Sequence, residues 1–160
     1  LSPVARYSFL TTWVLDAPLD PVWEAIYETW AWPRWWPGVR RADELVPRGP
    51  DGVGAVTRFT FRSRLPYDLT FEMRSTVVDR PRLMEGVATG ELRGVGRWRF
   101  FAADGATAVV YAWEVETAAR WMNVLAPLAG PLFAWNHDHV MRAGGHGLAR
   151  LLGARLLASD

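Results

Sequence analysis

The strongest constraint on the fold is an alternation of apolar and polar side chains through the middle of the chain. It runs from Ala55 to Leu65 and again from Tyr67 to Asp79. In both segments most even-numbered positions carry a charged residue or threonine, and most odd-numbered positions carry an apolar residue. A period of two places successive side chains on opposite faces of a β-strand. Pro66 and Tyr67 leave only a short connection, so we predict that the two segments pair as a hairpin.

Similar alternation continues on both sides of this hairpin. The Asp104-Gly105 pair is a strong hairpin signal between the last two strands. We predict an α+β fold with a curved antiparallel sheet of six or seven strands, one face aromatic and the other charged. The aromatic face must be covered by another layer. The other predicted strands are Arg6–Leu15, Val39–Val46, Arg82–Thr89, Leu92–Ala103 and Ala106–Ala118.

A long C-terminal helix is the predicted cover. Proline is absent from Leu132 to Leu157, and apolar residues recur there with helical spacing. Gly144 and Gly145 would let the helix approach the sheet closely. The side predicted to face the sheet carries Phe133, His137, Met141, Gly144, Leu148, Leu151 and Leu152. The opposite side carries Trp135, His139, Arg142, His146 and Arg150. The whole chain, 1–160, is then a single domain.

The segment from Asp16 to Val39 holds five of the ten tryptophans. Asp20 is predicted to cap a short helix and Pro21 to lie in its first turn. Pro33 disfavours helical geometry at the residue before it, so the helix should end early. One interpretation is a tryptophan-rich core. The other, which we retain as a site prediction, is that Trp32, Trp35 and Trp36 form the mouth of a cavity.

Composition excludes several classes of protein. There is no cysteine, so no thiolate chemistry is available, and the charged residues give a net charge of only +1 without a basic block. We therefore expect no nucleic-acid partner. The apolar run from Trp121 to Trp135 is short for a membrane span and contains two prolines, so stable membrane insertion is not expected. Contact of this run with a membrane surface is the alternative, because an exposed apolar patch of this size would need a partner. No signal peptide is evident, a cytoplasmic location is the default, and no feature specifies an oligomeric state.

The order of elements resembles one known group. A strand, a short helix with a proline-rich exit, an antiparallel meander and a long terminal helix are typical of the START-like helix-grip superfamily, also called SRPBCC. That group includes polyketide cyclases and dehydrases and lipid-transport proteins. The pieces that carry the resemblance are Ala17-Pro18, Val22-Trp23, Trp32-Pro33, Trp36-Pro37-Gly38-Val39, Gly90-Glu91-Leu92, Gly94, Trp98, Asn136-His137, Val140-Met141 and Gly147-Leu148.

The resemblance implies a cavity between the sheet and the last helix that binds an apolar or aromatic small molecule, such as a lipid, a quinone or a polyketide-like compound, without a cofactor. Pockets of this kind are mostly hydrophobic with a few polar groups. The strand faces independently predict such a lining, although the same residues could fill a solid core. The predicted lining is Phe59, Phe61, Phe71, Met73, Trp98, Tyr111, Trp113 and Met141, with polar atoms from Ser63, Ser75, Tyr111 and His137.

Catalysis, if present, must involve a histidine, because no other side chain titrates near neutrality without help. The three histidines lie on the last helix without an i, i+4 pair, so no metal site is predicted. His137 alone faces inward. It could act as the general acid or base of a polyketide cyclase or dehydratase, with Tyr111 or Ser75 holding an enolate oxygen.

Two other interpretations of the chain remain. His137 could be a hydrogen-bonded core residue, since Asp138 lies about 100° around the helix and cannot orient it directly. The aromatic face could also be a protein-interaction surface, although the last helix should cover it. A non-catalytic ligand binder is the favoured prediction.

Overall fold

The structure, a computed structural model, describes residues 6–62, 68–118, 124 and 126–160. Within these residues, eight strands form one antiparallel sheet in the order β2-β3-β4-β5-β6-β7-β1-β8. The strands are β1 (Arg6–Leu15), β2 (Val39–Val46), β3 (Val56–Phe61), β4 (Leu69–Asp79), β5 (Leu83–Gly90), β6 (Leu92–Ala103), β7 (Ala106–Thr117) and β8 (Leu156–Ser159). The helices are α1 (Leu19–Tyr27), α2 (Trp32–Trp35) and α3 (Ala126–Leu152), with a 3₁₀ turn at Thr29–Ala31.

The predicted α+β class, the antiparallel meander and the covering helix are confirmed. β3 and β4 pair as predicted, with Phe59 opposite Phe71. Their connection lies partly outside the described residues, and with it Ser63, Pro66 and Tyr67. At the β6–β7 turn, Asp104 and Gly105 have φ angles of 53° and 80°. Two consecutive positive φ angles define the type I′ turn that the Asp-Gly pair predicts.

The first helix begins earlier than expected. Pro18 takes the N-cap position without a side-chain hydrogen bond, and Asp20 lies inside the first turn. The prediction that Asp20 caps the helix was therefore wrong, whereas Pro21 is in the first turn as expected. Pro33 does not keep Trp32 out of helical geometry: Trp32 has φ −52° and ψ −39° and begins α2. Because a proline at a helix start loses no hydrogen bond, Pro33 fits there.

The terminal helix also has different limits from those predicted. It begins at Ala126 and accommodates Pro131 near its start. It ends at Leu152 because Gly153 adopts a φ of +60°, with Gly153 N donating to Arg150 O and Ala154 N to Ala149 O. This pair of bonds is the Schellman arrangement that closes many helices. The chain then turns back to form β8, a strand that we did not predict, beside β1.

One face of α3 lies against the sheet and α2. Phe133, Met141 and Leu148 are buried there as predicted, whereas Leu151 is 52% exposed, so its assignment to the inner face was wrong. A second correction concerns β4, where the pairing with β5 shifts between Ser75 and Val77. The irregularity resets the alternation. Regular alternation predicts that Val77 faces inward with Met73 and Ser75, but Val77 is exposed and Val78 packs on the core.

Three glycines bring the C-terminal half of α3 very close to the tryptophans. A Cβ built on Gly144 would lie 2.6 Å from Cε2 of Trp36, and one on Gly145 would lie 3.0 Å from the Trp13 ring. One on Gly147 would lie 1.9 Å from the backbone oxygen of Trp35. Any larger residue would push the helix away. At this end the layers therefore form a solid core.

Candidate ligand-binding cavity

A cavity of about 160 Å³ lies between the inner face of the sheet and the N-terminal half of α3. An engineered apolar cavity of about 150 Å³ is large enough to bind benzene, so this one admits at least an aromatic ring. Most of its lining is aromatic or aliphatic. The described lining residues include Trp32, Trp36, Phe59, Phe61, Leu69, Phe71, Met73, Met84, Leu92, Trp98, Tyr111, Trp113, Phe133, Val140 and Met141.

The structure gathers nearly all of the predicted site residues around this cavity. They are contributed by α2 and the residue after it, by four strands (β3, β4, β6 and β7) and by α3: Trp32, Trp36, Phe59, Phe61, Phe71, Met73, Ser75, Trp98, Tyr111, Trp113, His137 and Met141. Trp35 is not among the lining residues; its ring stacks on that of Trp36 at 5.5 Å between centroids. Alternation places the strand residues on one face, and α3 closes the space above them.

The three tryptophans predicted to form a mouth are buried, with 6%, 7% and 2% of Trp32, Trp35 and Trp36 exposed. The structure thus places Trp32 and Trp36 in the wall of the cavity and Trp35 behind Trp36, and none of the three at the protein surface. The indole N–H of Trp32 donates to Ile26 O at 3.0 Å, and that of Trp36 donates to Val140 O at 2.9 Å. The second bond links the C-terminal end of α2 to α3. Both indoles are held rigidly because each has a packed ring and a satisfied donor.

His137 is the most unusual polar group of the lining. Its side chain is 11% exposed, and its ring stacks on Phe9 at 4.0 Å. Among the described residues, neither ring nitrogen has a hydrogen-bond partner. The closest charged group is Asp138, whose Oδ1 lies 3.7 Å from Nδ1, which is beyond hydrogen-bonding distance. Burial lowers the pKa of His137 to about 4, although the nearby Asp138 carboxylate acts in the opposite direction.

His137 is consequently neutral at pH 7, with one ring nitrogen able to donate and the other able to accept. Buried polar atoms without a partner are costly, and each one calls for an explanation. A polar group of a bound ligand would supply the missing partner. Asn136, beside it on α3, also lines the cavity.

Tyr111 lies on the sheet side of the cavity. Its ring packs on Trp98 at 4.1 Å, and its hydroxyl lies over Gly96, where a Cβ would come within 2.6 Å of the oxygen. Gly96 thus leaves the space that the tyrosine occupies. Burial raises the pKa of Tyr111, so the phenol remains protonated and can donate a hydrogen bond.

The lining has a second polar region, which was not predicted from the sequence. Tyr27, Thr29 and Thr57 line the cavity where α1 meets the sheet, together with Arg48 from the loop between β2 and β3. Nothing in the sequence pattern identified Arg48, because a loop has no periodicity. In contrast, Val140 lies three residues after His137 on the same side of the helix, and this spacing could have identified it.

Two features are absent from the described residues. They contain no group of three or more His, Cys, Asp or Glu side chains placed to hold a metal ion. Their helices include none that is both long and apolar enough to span a membrane.

Comparison with known proteins identifies the family. A family model described as polyketide cyclase/dehydrase and lipid transport matches residues 7–153, which is most of the chain. The chain therefore belongs to this family, as the resemblance implied. A search of curated proteins gave no match.

Solved structures support the same assignment of the fold. The Zhui aromatase/cyclase from Streptomyces sp. R1128 has a TM-score of 0.75 and 17% identity, with 94% of each chain covered. A START superfamily protein from Mycobacterium smegmatis has a TM-score of 0.69 and 14% identity, covering 92% of this chain and 98% of that one. The di-domain ARO/CYC BexL of the BE-7585A biosynthetic pathway has a TM-score of 0.73 and 23% identity.

The match to BexL covers 94% of this chain but only 51% of the di-domain protein. At these identities the structural matches define the fold and not the reaction. Family and fold together make this an α+β domain of the polyketide cyclase/dehydrase and lipid transport family.

Proposed function

We propose that this protein binds an apolar or aromatic small molecule, such as a lipid, a quinone or a polyketide-like compound, in the cavity beneath α3. The observation that supports this most directly is the cavity itself, because it has an aromatic lining and few polar groups. A ligand gains free energy there by removing apolar surface from water. His137 and Tyr111 provide hydrogen bonds for orientation.

The proposal can be tested by filling the cavity. Met73 lines it from β4, and its Cε lies 3.0 Å from a Cβ built on Gly86. In Met73→Trp the larger side chain should occupy the ligand's space. We expect the affinity for 2-naphthamide, a neutral aromatic probe measured by calorimetry, to fall about tenfold or more, which corresponds to ~1.4 kcal/mol.

The matched control is Arg74→Trp, which places the same side chain on the next residue of the strand. Arg74 is exposed on the other face of β4. This variant should bind 2-naphthamide like the wild type. Equal binding by both variants, or no binding by the wild-type protein, would contradict the proposal.

A second function is favoured by one observation, the unpartnered ring nitrogens of His137 in the cavity wall. In a cyclase or dehydratase, one of them would take a proton from the carbon beside a carbonyl group and leave an enolate. The enolate would then attack a second carbonyl carbon. The buried phenol of Tyr111 could donate to the enolate oxygen.

The lowered pKa of His137 argues against this second function, because a general base works best when its pKa is near the working pH. A binder needs only a neutral imidazole. The two functions differ in the behaviour of His137→Gln toward a β-ketoacyl thioester. An enzyme would lose turnover of that compound while still binding it, whereas a binder has no turnover to lose.

A further inference from the structure

We infer that the ligand is amphipathic and that Arg48 holds its acidic group, a carboxylate, at the end of the cavity nearest α1. This inference rests on the proposed function and narrows its class of ligand. The carboxylate would be carried on an elongated apolar or aromatic body.

The cavity has two chemically different ends. At one end, β4 contributes Ser75, which pairs with Gly86; at the other it contributes Phe71, which pairs with Gly90. Ser75 lies four positions after Phe71 along the extended strand, a distance of about 13 Å at 3.3 Å per residue. The Ser75 end adjoins the loop that carries Arg48, since Gly54 N donates to Ser75 O and Ser75 N to Ala55 O, both at 2.9 Å.

His137 belongs to the other end. Its ring stacks on Phe9, and Phe9 pairs with Trp113 across β1 and β7. Phe61 also lies at this end, opposite Leu69, where β3 meets β4. The rings around His137 are therefore aromatic, and the nearby charged group, the Asp138 carboxylate, has the same sign as an acidic ligand.

Arg48 is fixed in place but not neutralised. Its guanidinium carbon lies 3.8 Å from the centre of the Tyr27 ring, and Nη2 donates to Tyr27 O at 3.2 Å. The ion pairs found among the described residues do not include Arg48. A guanidinium group has five N–H donors in a planar fork, so most of its donors are available to a ligand.

Two other charged side chains near this end, Glu85 and Arg80, are paired. Glu85 lines the cavity, but its carboxylate accepts a hydrogen bond from Arg97. Arg80 also lies against the Tyr27 ring, at 5.2 Å, and it forms an ion pair with Glu24. Within the described lining, Arg48 is thus the one formally charged side chain without a counter-ion.

These observations favour a carboxylate as the ligand's polar group. A partly buried cation without a counter-ion is unfavourable, and a carboxylate matches the planar fork with two parallel hydrogen bonds. Nearby hydroxyl groups add further hydrogen-bonding capacity: Thr29 Oγ1 lies 3.5 Å from Thr57 Oγ1, and both residues line the cavity. The apolar body of the ligand would then extend toward His137.

A matched pair of probes tests the inference. 2-Naphthoate and 2-naphthamide have nearly the same shape, but only the first is charged at pH 7. We expect wild-type protein to bind 2-naphthoate about tenfold more tightly, as one charge-assisted contact allows. In Arg48→Gln that preference should disappear through weaker binding of 2-naphthoate, while 2-naphthamide should bind within about twofold of the wild type. Arg48→Lys, which keeps the charge, should retain part of the preference.

Arg58→Gln is the control variant, because Arg58 is exposed on β3 and paired with Glu72. It should leave both affinities unchanged, and thermal melting should show that all variants are folded. If wild type and Arg48→Gln bind the two probes equally, the inference is wrong although the proposed function stands. If wild type binds neither probe, both are wrong.

Discussion

The two halves of α3 differ in how closely they pack against the rest of the protein. In the C-terminal half, Gly144, Gly145 and Gly147 let α2 and Trp13 approach until no space remains. In the N-terminal half, the inner positions carry large side chains, among them Phe133 and His137, and a cavity lies beneath them. One rigid helix therefore covers a solid core at one end and a hollow at the other.

This difference shows how a folded domain can hold a cavity without collapsing onto it. Interiors normally pack to the density of organic crystals, so an open space needs a frame that cannot close. The glycine contacts provide that frame, together with the hydrogen bond from Trp36 to Val140 O. Stability is concentrated in the packed half, and binding capacity in the other.

The largest expected effect tests the packed half. Gly147→Ala would place a methyl group 1.9 Å from the Trp35 carbonyl oxygen, so α2 and α3 must separate. We expect the free energy of unfolding to fall by about 4 kcal/mol, above the usual range for overpacking because the obstacle is backbone. Denaturant unfolding measures the change.

The contrasting variant for this experiment is Val140→Ile, which adds one methyl group beside the cavity. Its cost should stay below about 1 kcal/mol, since the added group can enter open space. Similar losses for the two variants would mean that the halves do not differ in packing.

The second prediction concerns pH and the hollow half. Burial lowers the pKa of His137 from 6.5 to about 4, so between these values the unfolded chain binds a proton that the folded protein does not. The contribution of His137 to stability is therefore present above pH 6.5 and is lost as the pH falls toward 4, by about 3 kcal/mol in all. His137→Phe, which keeps a ring against Phe9, should remove this part of the pH dependence.

Urea unfolding of wild type and variant at several pH values measures this difference. His146 is exposed on the outer side of α3, and His146→Gln serves as the control. It should leave the dependence intact. A wild-type curve that matches that of His137→Phe would show that the pKa of His137 is not lowered.

The smallest expected effect is a ligand-induced change in hydrogen exchange. At 2-naphthamide concentrations ten times Kd, binding adds about 1.4 kcal/mol to the free energy of opening. Amides of residues 133–141 should then exchange about tenfold more slowly, because they lie against the ligand. The exchange rates of amides 144–149 should change less, wherever these amides exchange through a local opening that leaves the cavity intact. Uniform protection along α3 would mean that the helix opens as one unit.

The features that could be predicted from the sequence are those that depend on local patterns. β6 was predicted with its bounds as observed, because its alternation is regular and a type I′ turn fixes its end. The helical and strand periods in the sequence also identified most of the residues that line the cavity, including His137 and Trp98. Such patterns report which face of an element is apolar, and this face is what lines a cavity or fills a core.

Features that depend on distant contacts were not predictable in this way. The burial of Trp36 comes from Gly144, more than one hundred residues away, and no local pattern records that contact. The irregularity after Ser75 interrupts an alternation that looks continuous in the sequence. Arg48 lies in a loop, and its position against Tyr27 comes from the packing of α1 on the sheet.

The glycines of α3 also bear on how ligand size is determined in this protein. They do not border the ligand space, yet the height of the helix above the sheet depends on them. Under the proposed function, the size of ligand that fits therefore depends partly on residues that do not line the cavity. A comparison of lining residues alone would miss this determinant, and efforts to widen the site should begin at Gly145, the mildest of the three contacts.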